Sequence, residues 1–256
     1  MKILKFKKQS KDKYKLYLDN NSDITLYEDV IIKNNLLITK EISDELLEAL
    51  KKQNNDMYAY TLALGYISVK MRSIKEINDY LIKKGFNNLV ANKVSERLIK
   101  EGYLNDLKYA KSFINDSMNL TNKGPQKIKM ELIKYGVNKD IIESEIALID
   151  QRKVEEKLNK LIDKELKIKK GSQNAIKIKL INHFVNLGYS KDLVTSILTG
   201  KEITSDKSKL KKDYAKLYNK YKVKYNGQEL LYFISQKLYS KGYTASDIKE
   251  ILKEEN

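Results

Sequence analysis

The sequence predicts a mainly α-helical protein: tandem three-helix repeats in an elongated, curved array, behind a small N-terminal antiparallel β-sheet. Three observations carry that prediction. Gly85, Gly136, Gly188 and Gly242 lie 51, 52 and 54 residues apart, a period that marks one supersecondary unit used repeatedly. Near residue 56 the apolar spacing changes from alternation to a period of about 3.6. Pro125 is the single proline in 256 residues, which suits long uninterrupted helices.

The first elements read as strands. Ile3, Leu4 and Phe6 in the segment Lys2–Lys7, and the alternation from Tyr14 to Leu18, flank a turn-like Gln9-Ser10-Lys11-Asp12, which together predict a hairpin. A second turn at Asp19–Asp23 leads into a strand from Ile24 to Tyr27; Val30–Ile32 and Leu36–Ile38, on either side of Asn34-Asn35, read as further strands. Ser43 caps a short helix that runs to Lys52, and Gln53-Asn54-Asn55-Asp56 is the expected linker. A small N-terminal domain over residues 1–54 and a helical repeat region over 55–256 follow from this.

Each repeat is anchored by its glycine. Four residues earlier stand Leu81, Leu132, Phe184 or Leu238, and eight earlier Ile77, Ile128, Leu180 or Ile234, so both fall on one helix face. Directly after it come Phe86, Val137, Tyr189 or Tyr243, the apolar contact of a glycine-ended helix. Asn88, Asn138, Ser190 and Ser246 then offer caps to a following helix that carries Val90, Ile141, Leu193 and Ile248. The units are expected near residues 72–120, 123–170 and 172–225, with a partial one over 226–256. In the first, helices are predicted at about 73–84, 89–101 and 106–118, with Ser73 and Glu76 as a capping box. Pro125 suits a first helical position, where its missing N–H costs nothing. One short unit cannot bury both its faces, so the units must stack.

Charge narrows the function. Lys and Arg number 50 against 34 Asp and Glu, a formal +16. Residues 1–57 hold 11 basic and 10 acidic side chains and residues 58–256 hold 39 and 24, so the excess is +1 and +15 respectively. A basic field confined to the helical part concentrates polyanions, and nucleic acid or a nucleoprotein is the first partner to consider. The alternative is a proteome-wide lysine bias that merely solvates helix faces.

Catalytic patterns are missing. With no cysteine, disulfides, zinc–thiolate sites and thiol catalysis are excluded. No G-x-x-x-x-G-K-[ST], G-x-G-x-x-G or G-x-S-x-G occurs, so the expectation is no catalytic residue, no cofactor and no metal. His183, the only histidine, is expected on a helix surface without a metal or nucleophile partner. The pairs Glu155-Glu156 and Glu254-Glu255 read as solvated ion-pair partners among lysines. No apolar run approaches the roughly 18–20 residues of a membrane helix, and the lysine-rich start (Lys2, Lys5, Lys7, Lys8) has no signal-type segment after it. A cytoplasmic protein is expected.

The candidate binding residues are basic. Arg72 stands just ahead of the helix capped by Ser73, where guanidinium and first-turn amides could hold an anion together, with Lys75 and Lys84 on that helix. The alternative for Arg72 is ordinary pairing with an acid. Lys123, Lys127, Lys129 and Lys134 surround the helix start at Gly124-Pro125, either as a phosphate-tracking edge or as plain solubilising charge. Between Lys207 and Lys224 eight lysines interleave with Tyr214, Tyr218, Tyr221 and Tyr225; the 4-3-4 spacing of the tyrosines fits a core stripe better than a base-stacking platform.

One stretch resembles a known family. Tyr58-Ala59-Tyr60-Thr61-Leu62-Ala63-Leu64-Gly65-Tyr66-Ile67-Ser68-Val69-Lys70-Met71-Arg72-Ser73 is similar to the opening signature of the RecX recombination regulators. Ile77 and Leu81 with Lys84-Gly85-Phe86, Leu98 with Gly102-Tyr103-Leu104-Asn105-Asp106 and Tyr109-Ala110, and Lys123-Gly124 with Ile128, Glu131-Leu132 and Gly136-Val137 continue the likeness. It is close over residues 58–147 and a matter of pattern beyond, and Asn105 departs from the usual acid. The N-terminal sheet and extra units resemble the longer members from low-GC Gram-positive bacteria. The resemblance implies a non-enzymatic, monomeric protein that lies in the groove of RecA–DNA filaments and restrains RecA ATPase and strand exchange, touching single- and double-stranded DNA largely without regard to sequence. A general basic DNA-binding or architectural protein is the competing class, and a helical nucleic-acid enzyme is disfavoured by the missing motifs.

Overall fold

Alternation over the first 27 residues yields β1 (Ile3–Ser10), β2 (Lys13–Leu18) and β3 (Asp23–Tyr27), an antiparallel sheet in the order β1-β2-β3. The computed structural model describes residues 1–254. Phe6 pairs with Leu16 and Leu16 with Ile24, so Ile3, Leu16, Leu18 and Leu26 are buried in the first core. The two strands expected next are helices instead. Val30–Ile32 falls in α1 (Glu28–Lys33) and Leu36–Ile38 in α2 (Leu36–Thr39). Glu28 and Asp29 in the first turn of α1 complement its dipole, and the adjacent Val30 and Ile31 are both buried, which a strand with alternating faces does not allow. Asn35 and Lys40, with φ of 52° and 51°, bound α2 in the left-handed region.

The expected linker is likewise helical. Ser43 caps α3 (Asp44–Val69), which runs straight through Gln53–Asp56, because those amides have partners elsewhere. Asn54 Oδ1 accepts the Tyr27 N–H at 2.9 Å while its Nδ2 donates to the Thr25 carbonyl at 3.1 Å, and Gln53 Oε1 accepts from Asn34 Nδ2 at 2.8 Å. Polar residues that look like a loop in sequence thus complete the edge of a sheet. The N-terminal half of α3 places Leu50 in the sheet core, and its C-terminal half buries Ala59, Tyr60 and Ala63 in the next one.

Helices follow to the end of the described residues: α4 (Ile74–Lys83), α5 (Asn88–Lys100), α6 (Asp106–Leu120), α7 (Pro125–Lys134), α8 (Lys139–Ala147), α9 (Gln151–Leu166), α10 (Gln173–Asn186), α11 (Lys191–Thr199), α12 (Lys207–Tyr221), α13 (Gly227–Ser240) and α14 (Ala245–Glu254). The chain forms two compact units, Met1–Ala110 with Ile133–Ile141, and Lys111–Leu132 with Ile142 onward. In the first, α3, α4 and α5 share a core of Ala59, Ala63, Ile77, Leu81, Val94 and Leu98. In the second, α9–α11 close over Leu158, Ile162, Leu180, Phe184 and Val194, and α12–α14 over Leu210, Ile234, Leu238, Tyr243 and Ile251. The period is the one the glycines mark. Each of these cores, however, takes its third helix from before the glycine-ended helix, one helix earlier than a frame beginning near residue 72.

The glycines act at turns with φ of +93°, +76°, +93° and +87° at 85, 136, 188 and 242. After three of them a backbone N–H closes the helix end, from Phe86 to Leu81 O (3.1 Å), Tyr189 to Phe184 O (3.1 Å) and Tyr243 to Leu238 O (3.3 Å). Three of the four turns also rest against the start of another helix. Ser73 Oγ, capping α4, donates to Tyr135 O at 2.7 Å, and Lys75 Nζ donates to Lys134 O at 3.1 Å. At the start of α7, the amides of Gly124 and Gln126 donate to Leu187 O (2.7 Å) and Gly188 O (3.0 Å). Ser172 Oγ, capping α10, donates to Lys241 O at 2.6 Å. Orphan carbonyls of one helix thereby meet donors at the opposite pole of another.

At two of these starts a residue from elsewhere in the chain serves the first amide: Asp106 Oδ1, at the start of α6, accepts the Ile74 N–H at 3.0 Å, and Ser205 Oγ, between α11 and α12, the Gln173 N–H at 3.1 Å. The corresponding position of α7 is Pro125, which has no N–H to satisfy.

In the α12–α14 core, burial works against ionisation of Asp213, yet hydrogen bonds from Lys241 Nζ (3.0 Å) and Tyr243 Oη (2.9 Å) hold its carboxyl below the usual carboxylate range. A depressed carboxylate contributes stability above its unfolded pKa and loses it as pH falls through the lower folded value. In urea melts the gap between wild type and Asp213→Asn is therefore expected to be full at pH 6 and to shrink below about pH 4. Glycine substitutions separate conformational strain from crowding. A Cβ on Gly85 would meet nothing within 4 Å, whereas one on Gly188 would lie 2.3 Å from the Lys127 backbone nitrogen. Gly85→Ala should cost about 1–2 kcal/mol from the left-handed backbone alone, and Gly188→Ala about 2–5 kcal/mol, read as shifts in the urea midpoint.

Candidate nucleic-acid interface

The expected anion site at Arg72 is filled by the protein's own acids. Arg72 Nη1 lies 3.3 Å from Glu76 Oε1, its guanidinium covers the Tyr66 ring at 3.7 Å, and its side chain is only 11% exposed. Tyr66 is stacked in turn on Tyr80, with ring centroids 4.1 Å apart. The first-turn amides of α4 are taken as well: Ser73 N–H by Glu76 Oε2 (3.0 Å), Ile74 N–H by Asp106, and Glu76 N–H by Ser73 Oγ (3.1 Å). Burial raises the Asp106 carboxyl above its ordinary range, and burial together with Glu76 raises the Tyr109 hydroxyl, so the surroundings of Arg72 are a closed polar core. Within it, Arg72 Nε has no hydrogen-bond partner among the described residues.

The same device recurs at Arg97. Its guanidinium lies 3.8 Å over the Tyr60 ring and its Nε donates to Glu101 at 2.8 Å, while Tyr60 Oη donates to the same carboxylate at 2.5 Å. Burial, then the bond to Glu101, pushes the Tyr60 hydroxyl up to about 12, and the bonds from Tyr60 and Arg97 hold Glu101 low. Two of the three arginines in the chain thus bind α4 and α5 to tyrosines of α3. An Arg–Glu pair at i,i+4 is visible in both stretches of sequence; the tyrosine beneath it comes from a different helix and is not.

The candidate lysines divide by what their ammonium groups touch. Lys75 is tied to the Lys134 carbonyl, Lys123 pairs with Glu131 at 2.6 Å, and Lys129 pairs with Glu143 at 3.6 Å. Lys84, at the C-terminal end of α4, faces the Tyr80 ring at 5.6 Å. Lys84, Lys127 and Lys134 are exposed and enter no ion pair among the described residues. The structure therefore brings Lys75 and Lys134 together and gathers Lys123, Lys127 and Lys129 around the start of α7, with Lys84 at the far end of α4.

Elsewhere the tyrosine stripe behaves as a core element. Tyr214 is buried, and Tyr221 and Tyr225 close on Phe233 at 4.7 and 4.8 Å, leaving Tyr218 the exposed member. Lys207, Lys209 and Lys211 pair with Glu250, Asp213 and Glu254, and Glu255 lies outside the described residues. His183 is exposed and edge-on to Phe184 at 5.0 Å. Among the described residues no cluster of His, Asp and Glu is arranged to hold a metal, and no helix is long and apolar enough to cross a membrane.

One lysine escaped the sequence reading. Lys157 of α9 is partly buried and donates to the carbonyls of Met118 (2.7 Å) and Lys123 (3.2 Å), and burial lowers its pKa. Its place in the row Lys153, Lys157, Lys160 and Lys164, spaced 4-3-4, was the available signal.

Comparison with known proteins agrees with this architecture. Residues 59–98 match the model of the RecX first three-helix domain and residues 105–144 that of the second. The first range takes in the end of α3 with α4 and α5, the helices that share the Ala59–Leu98 core, and the second takes in α6 to α8. A solved structure described as regulatory protein RecX superposes with a TM-score of 0.68 at 23% identity, covering 77% of this chain and 98% of that one. RecX from Lactobacillus salivarius gives a TM-score of 0.53 at 27% identity, covering 58% and 97%. The protein named Regulatory protein RecX in Streptococcus uberis is 36% identical over 99% of both chains, and that of Staphylococcus haemolyticus 27% identical over 98% of this chain and 96% of its own. Over nearly its whole length, the chain belongs to the RecX family of regulatory proteins.

Proposed function

We propose that this RecX-family regulator binds RecA–DNA filaments and restrains RecA ATP hydrolysis and strand exchange, acting in the cytoplasm as a monomer and by occupancy rather than catalysis. The observation that carries the reading is the +15 excess confined to residues 58–256, together with Lys84, Lys127 and Lys134 held exposed on helices whose ends are fixed by backbone hydrogen bonds. Charges held on folded helices can meet phosphates with little loss of freedom beyond that of their own side chains. Residues 55–256 are the binding region in this reading, and residues 1–54 support its first helices. Among the candidates, Lys84, Lys127 and Lys134 make phosphate or filament contacts directly. Arg72, Lys75 and Lys123 keep the helix starts in place, and Lys129 ties α7 to α8 through Glu143.

Lysine outnumbers arginine, the residue suited to bidentate base reading, so contact is with the backbone and indifferent to sequence. A filament regulator inhibits RecA at concentrations where bare DNA of equal length is unbound; an architectural DNA binder does not distinguish the two.

The test is a titration of RecA ATPase on single-stranded DNA, with filament, bare single strand and duplex binding measured at one salt concentration. The Lys84→Glu/Lys127→Glu/Lys134→Glu variant should keep the wild-type melting temperature, inhibit at least about tenfold less well, and show a log–log salt slope smaller by about 2–3. Undiminished inhibition by the variant removes these assignments, and inhibition absent from the wild type removes the function. Arg72→Lys should behave oppositely. It loses the stacked, bidentate-capable guanidinium, lowers stability by about 1–2 kcal/mol in urea, and leaves the salt slope unchanged.

A further inference from the structure

Four lysines on one face of α9 look into a groove of about 820 Å³ whose other wall belongs to α6. Lys153, Lys157, Lys160 and Lys164 line it, while the opposite face of the same helix sends Val154, Leu158 and Ile162 into the core. Eleven residues of helix separate the first from the last, an axial length of about 16 Å, or three turns. Across the groove stand Ile114 and Met118, and at its rim Leu120 and Leu148, which are 80% and 74% exposed. Lys157 fixes the geometry through its bonds to the Met118 and Lys123 carbonyls, which tie α9 to the end of α6. Lys153, Lys160 and Lys164 enter no ion pair among the described residues.

A cationic row beside an apolar wall asks for a ligand with both characters. A nucleic-acid strand would neutralise the lysines, but it would leave Leu120 and Leu148 in water. It would also find no aromatic ring among the lining residues on which to stack a base. It would in addition meet Glu145, Asp150 and Glu156, which share the lining and oppose a continuous line of phosphates. An amphipathic helix meets these conditions better: leucine-type side chains at i, i+3 and i+4 cover the apolar wall, and glutamates along one flank face the lysines, with gaps where the groove's own carboxylates fall.

We propose that the groove between α6 and α9 docks an acidic amphipathic helix of a partner protein. This goes beyond the filament reading and does not rest on it, because the residues are different and the ligand is protein rather than polyanion.

The experiment uses the full chain and fluorescence anisotropy with three labelled probes. These are a synthetic 16-residue peptide carrying leucines at helical spacing with glutamates on one flank, the same peptide with every leucine replaced by serine, and a 16-nucleotide oligo-dT. Wild type should bind the leucine peptide and bind the serine peptide at least about tenfold more weakly. Lys153→Glu/Lys160→Glu/Lys164→Glu should weaken the leucine peptide about tenfold or more, and Leu120→Ser/Leu148→Ser about fivefold or more, with circular dichroism melts showing that both variants fold. Lys84→Glu/Lys127→Glu/Lys134→Glu should leave peptide binding unchanged, which separates this groove from the filament contacts. Equal binding of the two peptides, indifference to the Leu120 and Leu148 substitutions, or displacement of the leucine peptide by unlabelled oligo-dT at the dT affinity would overturn the proposal and make the lysine row a phosphate track.

Discussion

Three times in this chain the carbonyl end of one helix is set against the amide end of another. The turn at Gly136 meets the start of α4, the turn at Gly188 the start of α7, and the turn at Gly242 the start of α10. Helix ends leave unsatisfied groups of opposite partial charge at their two poles, and here each pole supplies what the other lacks. The approach is so close that any side chain at the turn collides with the first turn of the receiving helix. Glycine is therefore fixed at 136, 188 and 242 by two requirements at once, a left-handed backbone and a missing Cβ. At 85 only the first applies. Much else follows from this contact: the capping serines at 73 and 172 serve two helices each, and the one proline sits where a repeat has no amide to satisfy.

The repeat was legible because its marks are local. A glycine in the left-handed region, an apolar residue four positions earlier and another just after it are set by one helix end, and sequence displays them at their true spacing. The helices predicted at about 73–84, 89–101 and 106–118 fall on α4, α5 and α6 to within two residues. What failed was whatever a distant partner decides. Val30–Ile32 and Leu36–Ile38 have strand composition, yet the sheet ends at β3 because Asn54 occupies its edge from 27 residues away. Gln53–Asp56 looks like a linker for the same reason, as its polar side chains answer backbone groups that are far off in sequence.

The binding residues divide along the same line. In sequence Arg72 reads equally as an anion ligand or as the partner of an acid; Glu76 beside it, Tyr66 beneath the guanidinium and Asp106 on the neighbouring amide turn it into a fastening. Lys84 and Lys134 are exposed at the carboxyl ends of α4 and α7, and Lys127 in the first turn of α7, positions that sequence displays without saying what the ammonium groups touch. The α9 row was equally readable in its 4-3-4 spacing, but its meaning depends on Leu120 and Leu148, which fold places beside it and sequence does not. In a chain so rich in lysine, position relative to apolar surface carries more information than charge itself.

The two bonds from Asn54 to β3 have an architectural consequence. A three-stranded sheet offers two open edges to other chains, and here one is sealed by an amide side chain projecting from a helix whose far half belongs to the first repeat. β1, at the other edge, carries Lys5, Lys7 and Lys8, a charge density that discourages a visiting strand. Severing the chain near residue 54 would cut α3 in mid-course and uncover the Tyr27 N–H and Thr25 carbonyl together. The sheet is therefore no detachable prefix: through one asparagine, its resistance to pairing with foreign strands is borrowed from the helical part of the protein.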